Sequence, residues 1–111
     1  MTVKEMALKA NLSFLNGEEF AEREVSGAYA CDLLSWVIGR AQENSALITV
    51  MTNVNVVAVA AMADLSCVIL TEGVKPDSMA LSKAQQNDII LLSSSDTTYE
   101  VSAKLSKVFG I

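Results

Sequence analysis

The sequence predicts an α/β fold: a small, mostly parallel sheet with crossover helices. Three short apolar runs support it, over residues 47–51, Cys67–Leu70 and 89–92. Each run ends in small polar residues, and the intervening segments are long enough to form helices. Since parallel strands end at one edge of a sheet, these polar tips should share that edge, where open α/β sheets bind ligands. The 111 residues are expected to form a single domain, 1–111.

Capping and turn signals define the first elements. Thr2 and Glu5 have capping-box spacing, and Asn16-Gly17 is a strong turn signal. Asp32 is a suitable N-cap for the second helix, whose apolar stripe should be wide. The elements predicted here are a helix over 2–10, a strand over 12–15, a charged connection over 18–23, an extended segment over 24–30 and a helix over 33–42.

The second half of the chain is expected to supply the centre of the sheet. Residues 46–51 are apolar on both faces, which favours a central parallel strand. Residues 54–63 mix strand-favouring valines with alanines; we predict a helix, buried or at an interface, because parallel strands need a crossover. The remaining predictions are strands over Cys67–Leu70 and 89–92, a helix capped by Asp77 that runs to about Asn87, and a last helix that begins with the capping box of Thr97 and Glu100 and continues to Gly110.

Composition and charge restrict the classes of function. Because 51% of the residues are apolar, a second copy of the chain is expected to cover part of the surface, and a homodimer is predicted. The alternative is that helices on both faces of the sheet cover this apolar surface internally. The net charge is −5 and the basic residues are scattered, so nucleic-acid binding is not expected. The longest apolar run has eight residues, whereas a membrane span needs about 20. With no signal peptide recognised, a cytoplasmic location is expected.

No metal site, cofactor or catalytic set is predicted. The chain has two cysteines, Cys31 and Cys67, and no histidine, which does not provide the clustered ligands of zinc or iron–sulfur sites. Cys67 is expected to be a small core residue, and no disulfide is expected in a cytoplasmic chain. No nucleophile has an evident activating partner, so catalysis is not expected.

Several sequence segments resemble the DRTGG domain family. The segments are Asp32-Leu33-Leu34-Ser35, Thr49-Val50-Met51-Thr52, Asn55-Val56-Val57-Ala58-Val59-Ala60, Val68-Ile69-Leu70-Thr71-Glu72-Gly73 and Asp96-Thr97-Thr98-Tyr99-Glu100-Val101. The resemblance covers nearly the whole chain, and residues 32–73 are its most diagnostic part. The chain departs from the family at Glu72, where many members have glycine. An acid in that turn opposes the close approach of a phosphate there.

The resemblance implies a fold like the N-terminal domain of HPr kinase/phosphorylase, related to the small N-terminal domains of Mur ligases. DRTGG domains also occur in long phosphotransacetylases and between paired CBS domains of regulated pyrophosphatases, which implies a regulatory or assembly role. Stand-alone members are often encoded near hydrogenase or redox genes, which implies a redox-related protein partner. Some carry a serine kinase label. This chain lacks the phosphate-binding motif G-x-x-x-x-G-K-[ST], so the label does not transfer.

Two hypotheses of function follow. The first is a regulatory module that binds a nucleotide or other small anionic ligand at the carboxyl edge, where helix N-termini present free backbone N–H groups. Its predicted lining residues are Thr49, Thr52, Asn53, Asn55, Thr71, Gly73, Ser93, Ser94, Ser95, Thr97 and Thr98. These residue types also cap helices and form loops, so structural roles are the alternative. The second hypothesis is a purely structural homodimerisation or interaction domain, in which Trp36 and Met62 are either interface anchors or ordinary core residues.

Overall fold

One five-stranded sheet organises the structure, a computed structural model that describes residues 1–111. The strands are β1 (Ser13–Asn16), β2 (Gly27–Ala30), β3 (Ser45–Thr49), β4 (Cys67–Leu70) and β5 (Leu91–Ser93). The helices are α1 (Val3–Ala10), α2 (Leu34–Arg40), α3 (Val54–Met62), α4 (Ser78–Gln86) and α5 (Thr98–Phe109), and a 3-10 turn spans Glu18–Phe20.

The sheet is mostly parallel, as predicted. Its strand order is β1-β5-β4-β3-β2, in which β2 to β5 are parallel and β1 is antiparallel to β5. The chain steps from β2 to β5 one strand at a time through α2, α3 and α4. Each crossover moves one strand further across the sheet in the same direction, and such crossovers are right-handed. The helices α2, α3 and α4 therefore lie on one face of the sheet, and α1 and α5 cover the other face.

Side chains from the central strands form a core on each face of the sheet. Ile48, Ile69 and Leu92 are buried towards α1 and α5. Leu47, Val68 and Leu91 are buried towards α2, α3 and α4. Because both faces of these strands are buried, their sequences are continuously apolar and do not alternate between apolar and polar residues.

Most of the predicted elements are confirmed with small shifts in their bounds. Residues 54–62 form a helix, α3, and Val57 and Ala60 on it are buried. Both predicted capping boxes are present, at Thr2 and at Thr97. No helix is both long and apolar enough to cross a membrane.

The predicted N-cap of the second helix is wrong. Leu33 occupies that position without a side-chain cap, and α2 is shorter than the predicted 33–42. Asp32 accepts hydrogen bonds from the end of β3 instead, because a fully buried threonine there needs an acceptor. The predicted apolar stripe is also mostly uncovered, since only Val37 of α2 is buried.

Smaller corrections concern α4 and β5. Asp77 occupies the N-cap position of α4 but makes no side-chain capping bond. The last parallel strand begins at Leu91, whereas Ile89 and Ile90 lie in a buried connection before it. The antiparallel pairing of Asn16 with Leu91 shows where β1 meets that strand.

Candidate ligand-binding site at the carboxyl edge of the sheet

The polar tips of β3, β4 and β5 lie side by side at one edge of the sheet, as the sequence predicts. The Thr71 N–H donates to the Thr49 carbonyl at 3.2 Å, and the Ser94 N–H donates to the Leu70 carbonyl at 2.9 Å. These bonds extend the sheet ladder by one residue beyond the strands. The edge is therefore a continuous polar rim.

On the β3 side, the rim is held by Asp32. The Thr49 hydroxyl donates to Asp32 Oδ1 at 2.7 Å, and the same oxygen accepts from the Val50 N–H at 3.0 Å. Thr49 is completely buried. Its hydroxyl oxygen also accepts from the Met51 N–H at 3.2 Å. The Thr49 hydroxyl is therefore already used within the protein.

On the side of β4 and β5, a second network joins two loops. The hydroxyl oxygens of Thr71 and Thr98 lie 2.7 Å apart, and Thr71 is completely buried. The Gly73 N–H donates to the Ser94 carbonyl at 3.1 Å. The Glu72 carboxylate accepts from the Thr98 N–H at 2.8 Å. The loops that follow β4 and β5 are therefore bonded to each other directly.

The helix N-termini at this edge are mostly occupied, contrary to the expectation of free N–H groups. At α5, the Thr98 and Glu100 N–H groups donate to the side chains of Glu72 and Thr97. At α3, the Asn55 N–H donates to the Asn53 side chain at 2.9 Å. Two helices, α2 and α4, begin here without a side-chain capping bond.

A cavity of about 490 Å³ opens at this edge, between the loops after β4 and β5 and the start of α4. Its lining residues are Leu15, Gly73, Val74, Lys75, Pro76, Leu81, Ser93, Ser94 and Ser95. Four residues of the predicted site line it, namely Gly73 and the three serines. The other predicted site residues lie outside the lining: Thr49, Thr52, Asn53, Asn55, Thr71, Thr97 and Thr98.

Sequence reasoning missed the residues that give this cavity its chemistry. Lys75 brings a cation to the lining, and Leu15, Val74 and Leu81 bring apolar surface. Lys75 could have been found, because it follows Gly73 by two residues. Leu15 carried no local signal, since it reaches the cavity only through the antiparallel pairing of β1 with β5.

Charges beside the cavity are partly neutralised. Asp96 forms an ion pair with Lys104 on α5. The Glu72 carboxylate, although exposed, is bonded to the N-terminus of α5. Lys75, by contrast, forms no ion pair. Lys75 is therefore the single charged side chain in the lining, where three serines supply neutral hydrogen-bonding groups.

The remaining candidate residues lie outside the cavity lining. Burial raises the pKa of Cys67 to about 12, so its thiol stays protonated near neutral pH. Cys31 is a partly exposed free thiol. Trp36 and Met62 are both substantially exposed, at 47% and 69%, on α2 and α3. No group of three His, Cys, Asp or Glu side chains is placed to hold a metal ion.

The fold and this rim define a small α/β domain with a cavity of mixed polar and apolar lining at the carboxyl edge of a mostly parallel sheet. The model of the DRTGG domain family matches residues 5–108, and the chain therefore belongs to the DRTGG domain family. None of the curated proteins compared with it has a matching sequence.

A solved structure shares the fold. It is that of the CBS and DRTGG domains of the regulatory region of Clostridium perfringens pyrophosphatase, complexed with the activator diadenosine tetraphosphate. The TM-score is 0.67 and the sequence identity is 10%. The match covers 94% of this chain and 45% of that chain, so this protein spans less than half of the neighbour's length.

Proposed function

We propose that this chain is a non-catalytic regulatory module that senses a nucleotide or another small anionic ligand. The observation that carries the proposal is the cavity of about 490 Å³ with Lys75 on its wall. Its volume lies within the usual range of small-molecule sites. A cation, three serine hydroxyls and an apolar wall suit a ligand with a phosphate at one end and a flat apolar group at the other.

The lining residues offer two kinds of contact to a ligand. Leu15, Val74 and Leu81 offer contact to an apolar group such as a base. Lys75 supplies charge for a phosphate, and Ser95, which is exposed, can donate a hydrogen bond. The Ser94 hydroxyl accepts from the Asp96 N–H at 3.0 Å, which leaves its own proton free to donate.

A regulatory role is supported by the structural neighbour. That protein is a regulatory region in complex with an activator that carries phosphates and two adenosines. The absence of histidine and the inaccessible thiol of Cys67 support a role without catalysis, because histidine is the usual general base near neutral pH and a buried, protonated thiol is a poor nucleophile.

Thermal denaturation with added ligands tests the proposal. The probes are ADP, ATP, inorganic pyrophosphate and acetyl phosphate, at low ionic strength so that charge interactions are not screened. A ligand at 100 times its Kd stabilises the folded state by about 2.7 kcal/mol, which raises Tm by several degrees. The parent chain should respond to at least one nucleotide.

Matched variants locate the response. Lys75→Met removes the charge on the cavity wall, and Lys83→Met removes a similar charge on α4 outside the lining. The shift should disappear in Lys75→Met and persist in Lys83→Met. Thr52→Ala tests the β3 side of the rim and should also retain the shift. No response in the parent chain, or equal loss in both lysine variants, would reject the proposal.

Self-association is the second candidate function, because α2 exposes much of its apolar surface. Leu33, Trp36 and Ile38 are each about half exposed although they belong to a short helical region. Solvent-exposed apolar clusters of this kind commonly mark interaction surfaces. Light scattering of the parent chain over a range of concentrations should show a homodimer, and a monomer throughout would reject this candidate.

A further inference from the structure

The outer strand β2 leaves one side of its backbone without a partner. It pairs only with β3, at the end of the strand order. The Cys31 N–H donates to the Ile48 carbonyl at 3.1 Å, and alternate residues of a strand point to the same side. The N–H and C=O groups of Ala28 and Ala30 therefore point away from the sheet.

This edge lacks the features that usually prevent strands from pairing with another chain. Residues 26–30 contain no charged residue, no proline and no bulge, and three of the five are glycine or alanine. Such small side chains allow a second backbone to approach closely. The opposite edge differs, because the pairing of β1 shifts register between Phe14 and Asn16.

Apolar surface lies on both sides of the open strand. On the α5 face, a groove of about 270 Å³ lies beside Ala28 and Ala30 and is walled by Phe109 and Ile111. On the α2 face, Arg40 lines a second groove with Gly27. The Arg40 guanidinium lies 3.8 Å from the centre of the Trp36 ring, so the half-exposed indole also adjoins this edge.

We propose that a second copy of this chain docks on the open edge through antiparallel pairing of β2 with its counterpart. The inference depends on self-association, the second candidate function, and adds the surface and the mode of contact. The two sheets would join into one ten-stranded sheet. The outward N–H and C=O groups of Ala28 and Ala30 would then gain partners, and both grooves would be covered.

Symmetry and charge favour a second copy over another occupant. Antiparallel pairing sets a two-fold axis perpendicular to the sheet, so α2 meets its counterpart in the opposite direction on the same face. Arg40 at the end of α2 in one copy would then lie near Asp32, which precedes α2 in the other copy. These two side chains carry opposite charges. Arg40 is the one charged side chain in the lining of the two grooves, although the protein carries a net charge of −5. This surface is therefore one where two acidic copies can approach.

Sedimentation velocity of the full chain and matched variants tests the inference. Ala30→Lys places a charge on the open strand, and Trp36→Glu places one on the flank. Met62→Glu is the control, because Met62 is 69% exposed on α3 and outside both grooves. The parent should be a dimer, the first two variants should dissociate roughly tenfold more readily, and the control should remain a dimer.

Hydrogen exchange on the parent chain gives a second readout that requires no mutation. The amides of Ala28 and Ala30 should become more protected as the protein concentration rises, because dimerisation gives them acceptors. Circular dichroism should show that each variant is folded before its dissociation is interpreted.

These measurements test self-association and the β2 interface separately. A parent chain that is monomeric at all concentrations rejects both self-association and the β2 interface. A dimer that Met62→Glu disrupts while Ala30→Lys and Trp36→Glu do not, or amides of Ala28 and Ala30 that exchange rapidly in the dimer, keeps self-association but rejects the β2 edge. A monomer that instead binds an unrelated extended peptide at this edge also rejects the proposal.

Discussion

The carboxylate of Glu72 lies 2.8 Å from the Thr98 N–H and so places an acidic side chain at the first turn of α5. The backbone N–H of Glu72 donates to the Asp96 carbonyl, and the backbone of Glu72 is left-handed, with φ of 61°. Since N–H groups at a helix start attract anions, the carboxylate occupies a position that a phosphate would otherwise take. Under the proposed function, the phosphate of the ligand would therefore lie nearer to Lys75 than to the start of α5.

Replacing this carboxylate should strengthen anion binding. Glu72→Gln keeps an oxygen that can accept the Thr98 N–H but removes one negative charge beside the cavity. We expect the affinity for a nucleotide that binds the parent chain to rise by roughly threefold to tenfold at low salt, as one nearby exposed charge is worth about 1 kcal/mol. Isothermal titration calorimetry measures the change. Glu43→Gln, an exposed acid before β3, is the control and should have little effect; weaker binding in Glu72→Gln would contradict the prediction.

The bond between Asp32 and Thr49 should contribute to stability more than a helix cap would. Asp32→Ala leaves the buried Thr49 hydroxyl without its acceptor, at a cost of about 1–3 kcal/mol in the free energy of unfolding. Urea denaturation of Asp32→Ala, Thr49→Val and the double variant should show that the two losses are not additive. Asp32→Ser, which introduces a residue type suited to capping but with a shorter side chain, should recover little of the loss. Full recovery by serine would instead support the capping role.

Asp32 also shows what a single sequence does not reveal. Its position before an apolar helical stretch is a normal capping signal, yet its hydrogen bonds go to residues 17 and 18 positions later. The competing partner is created by the parallel pairing of β2 with β3. Such a contact depends on tertiary structure, so local spacing predicts the residue type correctly and its role wrongly.

The α3 segment shows the opposite case. Its valines favour a strand, but two parallel strands need a crossover, and that topological requirement gives the correct helix. The same reasoning brings the tips of β3, β4 and β5 to one rim. Sequence reasoning could not distinguish the buried Thr49 and Thr71 from the serines that line the cavity, because the burial of each side chain depends on how the loops after the strands fold. The place of β1 beside β5 likewise has no local signal.

The two cysteines should differ sharply in reactivity. Burial raises the pKa of Cys67 to about 12, so its reactive thiolate is scarce until the pH approaches that value. Cys31 is partly exposed just beyond β2. Ellman's reagent at mildly alkaline pH should therefore label one thiol in the native protein and two after denaturation. Cys31→Ser should abolish the native reaction, while rapid native labelling of two thiols would contradict the buried position of Cys67.

Two glycine substitutions should change stability in opposite directions. Gly39 lies within α2, is exposed and has free space where a methyl group would be added, so Gly39→Ala should stabilise the protein by about 0.5–1 kcal/mol. Gly17 has φ of +83°, and an added Cβ would lie 3.0 Å from the Cα of Ile90. Gly17→Ala should therefore destabilise the fold by about 1–3 kcal/mol.

Chemical denaturation of both glycine variants beside the parent chain measures these shifts. The slope of the free energy with denaturant should stay constant, so that the midpoints compare stability directly. The turn at Asn16 and Gly17 lies against the connection before β5, to which the Asn16 side chain is hydrogen-bonded. A loss of stability in Gly17→Ala therefore reports on the antiparallel pairing of β1 with β5. Equal stability of Gly17→Ala and the parent chain would mean that this turn does not lie against Ile90 and that β1 is placed differently.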